Sequence, residues 1–325
     1  MPGYGAARAQ TRIIMCGYNC SRYDCRYSNV KPYIIVNPIA GSKVDLESRL
    51  KQLYRLDPRE VRVTQRAGEA EALAQEGVRA GANYVIAAGG DGTLNEVING
   101  IATLRREARD VCVGIAPLGT ANDFARSIGL AGDIGVDIDI LRAKKTVTID
   151  LVRMRSGRRR HFVNVSAGGF GAVVDEKLTS EIKSVWGPLA YLRSAAAALP
   201  ELKAYSTRII LDDTEQFVID LYNVVVANGQ FAGGGLPIAP QADLSDGLLD
   251  IVLIPKRPAA EMALLAAEMI LGKHVSSDTV IFRRAKKISV QSRPGMWFNA
   301  DGELVGNQPA VFQILPHALD FVVRK

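Results

Sequence analysis

A chain of 325 residues, 48% hydrophobic and 23% charged, has the composition of a soluble globular protein and enough length for two domains, each with its own core. No apolar run approaches the roughly 18 to 20 residues that span a bilayer, which excludes an integral helical membrane protein. Of the net charge of +6, most lies in the first 31 residues, where five basic side chains face one acid, so the remainder is too nearly neutral to argue for nucleic acid as a partner.

Cys16, Cys20 and Cys25 lie in that leader and Cys112 stands alone in VCVGI. Their spacing gives neither a paired disulfide framework nor a C-x2-C metal knuckle, so a reducing, cytoplasmic setting is expected. Residues 1–30 read as a disordered leader, or as the product of a start codon placed too early.

From Lys31 short β-branched runs at 33–36, 61–64, 84–88 and 111–116 alternate with helical stretches at 46–55, 69–80 and 93–104. In the last stretch Leu94, Val97, Ile98 and Ile101 recur at helical spacing. The alternation predicts a parallel sheet flanked by helices, with ligands at its strand-to-helix turns. After Lys145 strand follows strand, at 147–154, 161–166, 207–211, 217–227, 248–254, 287–291 and 311–315, with turn signals such as Ser156-Gly157 and Asp246-Gly247 between them. The expected fold is thus α/β plus β: an α/β nucleotide-binding domain over 31–145 and a mostly antiparallel β-sandwich over 146–325, whose final residues return to the first domain. Two apolar helices, at 185–199 and 259–271, read as buried flanks of the sandwich or as an apolar lip facing lipid.

The segment YVIAAGGDGTLNEVING sets Gly89, Gly90 and Gly92 between a buried strand and an amphipathic helix. Glycines there let the backbone approach a phosphate, and the helix N-terminus offers free N–H groups and a positive dipole end. Asp91 beside a polyphosphate would be repulsive unless a cation lies between them or the carboxylate orients a reacting hydroxyl. Asn37, Pro38 and Gly41 follow the first strand, Thr64 ends the second, and Gly119 and Thr120 follow the fourth, so four turns converge on one sheet edge. Each taken alone reads as a turn.

GGDGTLNEVING, with VNPIAG before it and PLGTANDFAR, IAPQADLSDGLLDIVLI and FNADGE after it, resembles the diacylglycerol kinase catalytic family, in particular its bacterial lipid kinase branch, which is related to sphingosine and ceramide kinases and distantly to NAD kinases. The resemblance spans residues 31–325. It implies ATP as donor, Mg2+ as cofactor and a lipid alcohol such as diacylglycerol as acceptor. It places nucleotide-binding positions at Asn37, Pro38, Gly41, Thr64, Gly89, Gly90, Asp91, Gly92, Thr93, Leu94, Asn95, Gly119 and Thr120. It implies catalytic roles for Asp91 and Asp123, and for Glu303 as general base with Asp301 beside it. Phosphoryl transfer suits such a set, because it asks for positioning, charge neutralisation and one proton acceptor. Without the resemblance, Asp301-Gly302-Glu303 reads as a hairpin turn with exposed acids.

The resemblance also aligns the segment DLSDGLLD with a structural Mg2+ loop held by Asp246 and the carbonyl of Leu248, with Asp243 standing where relatives carry Lys. An Asp-Gly turn is the plainer reading. The basic runs RMRSGRRR (153–160) and RRAKK (283–287) read as solvated turns, or as contacts to a peripheral, anionic membrane surface visited transiently by the enzyme. A free edge strand of the sandwich would allow a homodimer. The alternatives are an NAD kinase-like phosphotransferase, and a nonenzymatic nucleotide- or lipid-binding regulator.

Overall fold

The computed structural model describes residues 27, 29–41, 45–104, 110–130, 133–169 and 203–324. The leader cysteines and the helix expected at 185–199 lie outside them.

Strands β1 (Tyr33–Val36), β2 (Glu60–Val63), β3 (Tyr84–Gly89) and β4 (Cys112–Pro117) form a parallel sheet in the order β4-β3-β1-β2. The runs YIIV and YVIAAG are buried along their whole length because they occupy the sheet centre, covered on both faces. EVRV at the edge is half exposed. One face carries α2 (Glu69–Arg79) and α3 (Asp91–Thr103), which bury Leu73, Leu94, Val97, Ile98 and Ile101. The other carries α1 (Leu46–Tyr54) and α5 (Ile134–Ala143), with Leu53, Ile138 and Leu141 against Ile34, Val36 and Ile86. The short α4 (Asp123–Ser127) buries Phe124 and Ala125 in the core on the α2 and α3 face. Neither α4 nor α5 was anticipated by periodicity: five residues are too few to show one, and IGVDIDILRA mixes apolar residues with acids.

The second domain is the expected antiparallel sandwich. It is built from β5 (Thr146–Ser156), β6 (Arg158–Phe162), β7 (Val165–Gly169), β8 (Tyr205–Leu211) and β9 (Glu215–Ala227), followed by the small hairpin of β10 (Phe231–Ala232) and β11 (Leu236–Pro237). Then come β12 (Leu249–Pro255), α6 (Ala259–Ile270), β13 (Ile281–Ala285), β14 (Lys287–Arg293), β15 (Phe298–Ala300), β16 (Glu303–Gly306) and β17 (Ala310–Val322). Phe162 and Phe298 each meet Phe312 edge to face in its core, with ring centroids 6.3 and 5.5 Å from that of Phe312.

Sequence pattern alone ran 161–166 together as one strand, but the chain breaks between β6 and β7. Val163, Asn164 and Val165 give their N–H groups to the Asp301 carboxylate instead of to a neighbouring strand. Helix α6 is a flank and not a wholly buried one: Leu265 packs inward while Leu264 is 57% and Leu271 67% exposed.

Strand β17 joins the domains. Its first part pairs antiparallel with β14 and β5, and its end runs parallel to β4 through Asp320↔Cys112 and Phe321↔Val113. The strand changes register between Leu315 and Leu319, where His317 has φ +48°. Buried Asp150 holds that bend by accepting hydrogen bonds from the backbone N–H of His317 at 2.8 Å and of Gly247 at 2.7 Å. Asp150→Ala leaves two donors without a partner, so unfolding in urea is expected to show a loss of about 2 to 4 kcal/mol. A loss below about 0.5 kcal/mol would mean that water replaces the carboxylate freely.

Candidate active site

The turn between β3 and α3 is built by a close approach of two backbones. Gly119, after β4, lies against Gly90: a Cβ on Gly119 would fall 2.4 Å from the Gly90 Cα, so no side chain fits there. Gly90 is the N-cap of α3 and Asp91 its first residue, two positions earlier than the apolar spacing predicts. Gly92 is the opposite case, for a Cβ added to it would meet nothing within 4 Å. Open space therefore stands directly at the helix N-terminus, where N–H groups lack intrahelical partners.

Two cavities meet at Gly92. One of about 170 Å³ is lined by Asn37, Pro38, Thr64, Arg66, Thr93 and Glu96. The other, of about 330 Å³, lies between the domains. Asp91, Ala121 and Asp123 line it from the first domain, and Asn164, Ala167, Asn299, Asp301 and Glu303 from the second, beside the Gly233-Gly234 turn. A larger groove of about 620 Å³, around Ser127, Val147, Gln230 and Val323, brings only Asp243 and Arg324 as charged lining groups. The concentration of acids, not the size, marks the interdomain cavity as the reactive one.

In the smaller cavity Asn37 donates from Nδ2 to Thr93 Oγ1 at 3.1 Å, and Thr64 Oγ1 donates to the Val36 carbonyl at 3.3 Å. Gly41 packs beneath the Leu118 carbonyl, and Thr120 is exposed beside Gly119. Leu94 and Asn95, read from sequence as nucleotide-binding positions, turn inward instead. Leu94 is a core residue, and buried Asn95 donates from Nδ2 to the His161 carbonyl and to Asp301. Both sit on the face of α3 that packs against protein.

Three aspartates line the interdomain cavity, and all three clasp backbone. Asp91 accepts from the N–H groups of Asp123 and Phe124, each at 3.1 Å, which anchors α4. Asp123 accepts from Gly234 at 3.0 Å and Gly235 at 2.6 Å. Asp301 accepts from Val163, Asn164 and Val165 at 3.1 to 3.2 Å, as well as from Asn95. Asp123 and Asp301, read as catalytic from sequence, thus share with Asp91 an acceptor role toward backbone N–H groups. Nor is Asp301 an exposed turn acid, because its carboxylate points back into the domain junction.

Burial raises the proton affinity of these acids, and the amide donors work against it. Asp91 is raised by desolvation. Asp123 is pushed up to about 6 by burial and then by the Asp91 charge, against the Gly234 and Gly235 amides. Asp301 is pushed up to about 7 by burial, against Asn95 and the amides of the β6–β7 break.

Glu303 is different. Asp301 and Gly302, at φ +48° and +87°, form the two-residue loop of a hairpin in which Ala300 pairs with Glu303. The turn leaves Glu303 at the head of β16, facing the cavity. One oxygen, Oε2, lies 3.4 Å from Arg160 Nη2, and Oε1 has no hydrogen-bond partner among the described residues. Burial raises its pKa, partly offset by Arg160. A carboxylate with a free oxygen and an elevated proton affinity, on a cavity wall, has the properties of a general base.

Arg160, Asn164 and Asn299 were not singled out by sequence reasoning. Arg160 sits inside the RMRSGRRR run but is largely buried, pairing with Glu71 at 2.7 Å and with Glu303 at 3.4 Å. The three glycines at 233–235, all at positive φ, were the visible sign of a turn that must present its amides to Asp123.

The loop at 243–250 holds its charges internally. Asp246 pairs with Arg284, which also lies 3.3 Å from Asp250, while Asp243 accepts from Ser245. A cation held by Asp246 and the Leu248 carbonyl would have to displace that guanidinium, so these residues do not fit Mg2+ as they stand. Among the described residues no cluster of three or more His, Cys, Asp or Glu side chains is placed to hold a metal ion. In RRAKK, Arg283 pairs with Glu215 and Lys287 with Asp213, so much of that run is neutralised on the protein itself.

A parallel-sheet domain with an open glycine turn, closed against an antiparallel sandwich that supplies an acid, is the fold shared by diacylglycerol kinases and NAD kinases. In solved structures it recurs in a putative diacylglycerol kinase from Bacillus anthracis, with a TM-score of 0.75 at 23% identity over 90% of this chain and 97% of that one. It recurs more distantly in an NAD kinase from Archaeoglobus fulgidus in complex with ATP, with a TM-score of 0.51 at 14% identity over 90% of this chain and 93% of that one. Residues 31–154 match the diacylglycerol kinase catalytic domain, and residues 164–323 the YegS C-terminal NAD kinase beta sandwich-like domain. The diacylglycerol kinase of Staphylococcus haemolyticus is 32% identical over 90% of this chain and 88% of its own, and that of Staphylococcus saprophyticus 34% identical over 86% and 90%. The chain belongs to the diacylglycerol kinase catalytic family, a family of kinases.

The two glycines of the turn give a contrast. Gly119→Ala is expected to destabilise the protein by about 1 to 3 kcal/mol, by driving a methyl into the Gly90 backbone. Gly92→Ala, at an open helical position, should change stability by less than about 1 kcal/mol. Chemical denaturation of both variants checks this, and equal losses would contradict the close approach.

Proposed function

We propose that the protein transfers the γ-phosphate of ATP to the hydroxyl of a membrane lipid alcohol of the diacylglycerol type, in the cavity between its domains. The observation that carries this reading is the position of Glu303: a second-domain carboxylate with a free oxygen shares one cavity with Asp91 and the open turn at Gly92. ATP would take the smaller cavity, with its phosphates at the N-terminus of α3, and the acceptor hydroxyl would enter the larger one.

In this reaction Glu303 accepts the hydroxyl proton as the lipid oxygen forms its bond to the γ-phosphorus. The bond from that phosphorus to the β–γ bridging oxygen breaks, and ADP leaves with the electron pair. Asp91, whose oxygens accept N–H groups of α4, is the residue that would hold Mg2+ brought in with the nucleotide. Such an ion would supply charge neutralisation at the phosphates. No described helix is long and apolar enough to cross a membrane, so the enzyme would reach its substrate from the surface. The exposed Leu264 and Leu271 of the α6 region are apolar side chains available for that approach.

Transfer of labelled γ-phosphate from Mg-ATP to diacylglycerol, phosphatidylglycerol, sphingosine and ceramide in mixed micelles, with NAD as a soluble comparison, tests the reading. Label is expected in a lipid, and Glu303→Gln should lower kcat by about 100-fold or more while leaving thermal stabilisation by Mg-ATP intact. Label in NAD alone, or Glu303→Gln at wild-type rate, would refute it.

A further inference from the structure

The Glu303 carboxylate does not stand alone in the cavity wall. Arg160, on β6, reaches it from one side with Nη2 at 3.4 Å, and from the other its Nη1 lies 2.7 Å from Glu71 Oε2 on α2. Side-chain exposure is 19% for Arg160, 27% for Glu71 and 30% for Glu303, so the triad is largely withdrawn from water and its geometry is held. The Arg160 Nε is buried and has no hydrogen-bond partner, which leaves the guanidinium fixed by its two carboxylates alone.

Glu71 belongs to the first turn of α2, and that turn is held in place by α3. Glu96 accepts from the N–H of Gly68 at 2.9 Å and of Ala70 at 3.0 Å. Glu96 also lines the smaller cavity, together with Gly92 and Thr93. An unbroken series of contacts thus runs from the glycine turn along α3 through Glu96 to α2, then through Glu71 and Arg160 to Glu303.

Resting on the reading of Glu303 as the proton acceptor, we propose that Arg160 is its positioning residue: it ties the base of the second domain to α2 of the first, and so sets the orientation of Glu303 when the domains hold both substrates. The charges facing Glu303 are Arg158 and Arg160 from β6, Glu71 from α2 and Glu96 from α3, with Asp301 in the adjoining turn. Three glutamates therefore converge on this junction, and Arg160 is the cation that lies between two of them. Without it Glu303 faces only like charge from the first domain, and its proton is held more tightly.

Arg160→Gln, Arg160→Lys and Glu303→Gln are compared with wild type in the γ-phosphate transfer assay, with kcat and KM measured for ATP and for the lipid from pH 5.5 to 9. Arg160→Gln is expected to lower kcat by about tenfold or more at neutral pH, with KM for ATP changed less than about twofold. Its acidic limb should move to higher pH, because a base of raised pKa is deprotonated later. Arg160→Lys restores the charge without the two-pronged reach, and should recover the limb but only part of kcat. If Arg160→Gln does not fold, the Lys variant and the wild-type limb still decide the matter.

An unshifted limb and unchanged kcat in a folded Arg160→Gln, or an Arg160→Lys indistinguishable from wild type, would reduce Arg160 to a structural ion pair and overturn the proposal while leaving Glu303 as base. Full activity in Glu303→Gln would overturn both readings at once.

Discussion

The geometry of the site depends on one constraint, the capture of backbone N–H groups by buried carboxylates at the domain junction. Asp301 takes three successive amides from the break between β6 and β7 and a fourth donor from Asn95 on α3. Those amides lie where the strand ladder is interrupted, so the carboxylate satisfies donors that would otherwise be buried without a partner. Because Asn95 is on the same helix as Asp91 and Gly92, the contact also sets the second domain's hairpin against the glycine turn. Asp91 and Asp123 continue the pattern by fixing α4 and the turn at 233–235.

This division of labour follows from coordination capacity. An aspartate that receives an amide on each oxygen is held in place, and what it holds is the wall of the cavity. Glu303 enters the same space with one oxygen free, since its hairpin turn points it away from the amides that occupy Asp301. The result is a cavity with an acidic frame tied to backbone and one carboxylate oxygen without a partner among the described residues. Arg160 limits the rise in proton affinity that burial imposes on it.

The two domains are also continuous in their hydrogen bonding. Strand β17 pairs with sandwich strands at one end and with β4 at the other, and the bend at His317 that permits this is held by Asp150. The cleft is thus bordered by a shared sheet. Both the glycine turn and the acid-bearing hairpin hang from that common frame.

Much of this was legible in the amino-acid order. Period and run length gave the parallel sheet, because central strands buried on both faces must be continuously apolar, and the rhythm after Lys145 gave the sandwich. GGDGT between strand and helix announced an anion-ready turn, and Asp-Gly before Glu303 announced a hairpin. Pattern could not show which acids are free and which are spent, since Asp91, Asp123, Asp301 and Glu303 look alike as letters and differ only in the donors that folding brings to them. It could not tell that Leu94 and Asn95 face inward, that 161–166 breaks in two, or that Arg160 leaves its basic run to meet Glu71 and Glu303. Those outcomes depend on contacts between residues 60 to more than 200 positions apart, which only the packed chain brings into reach.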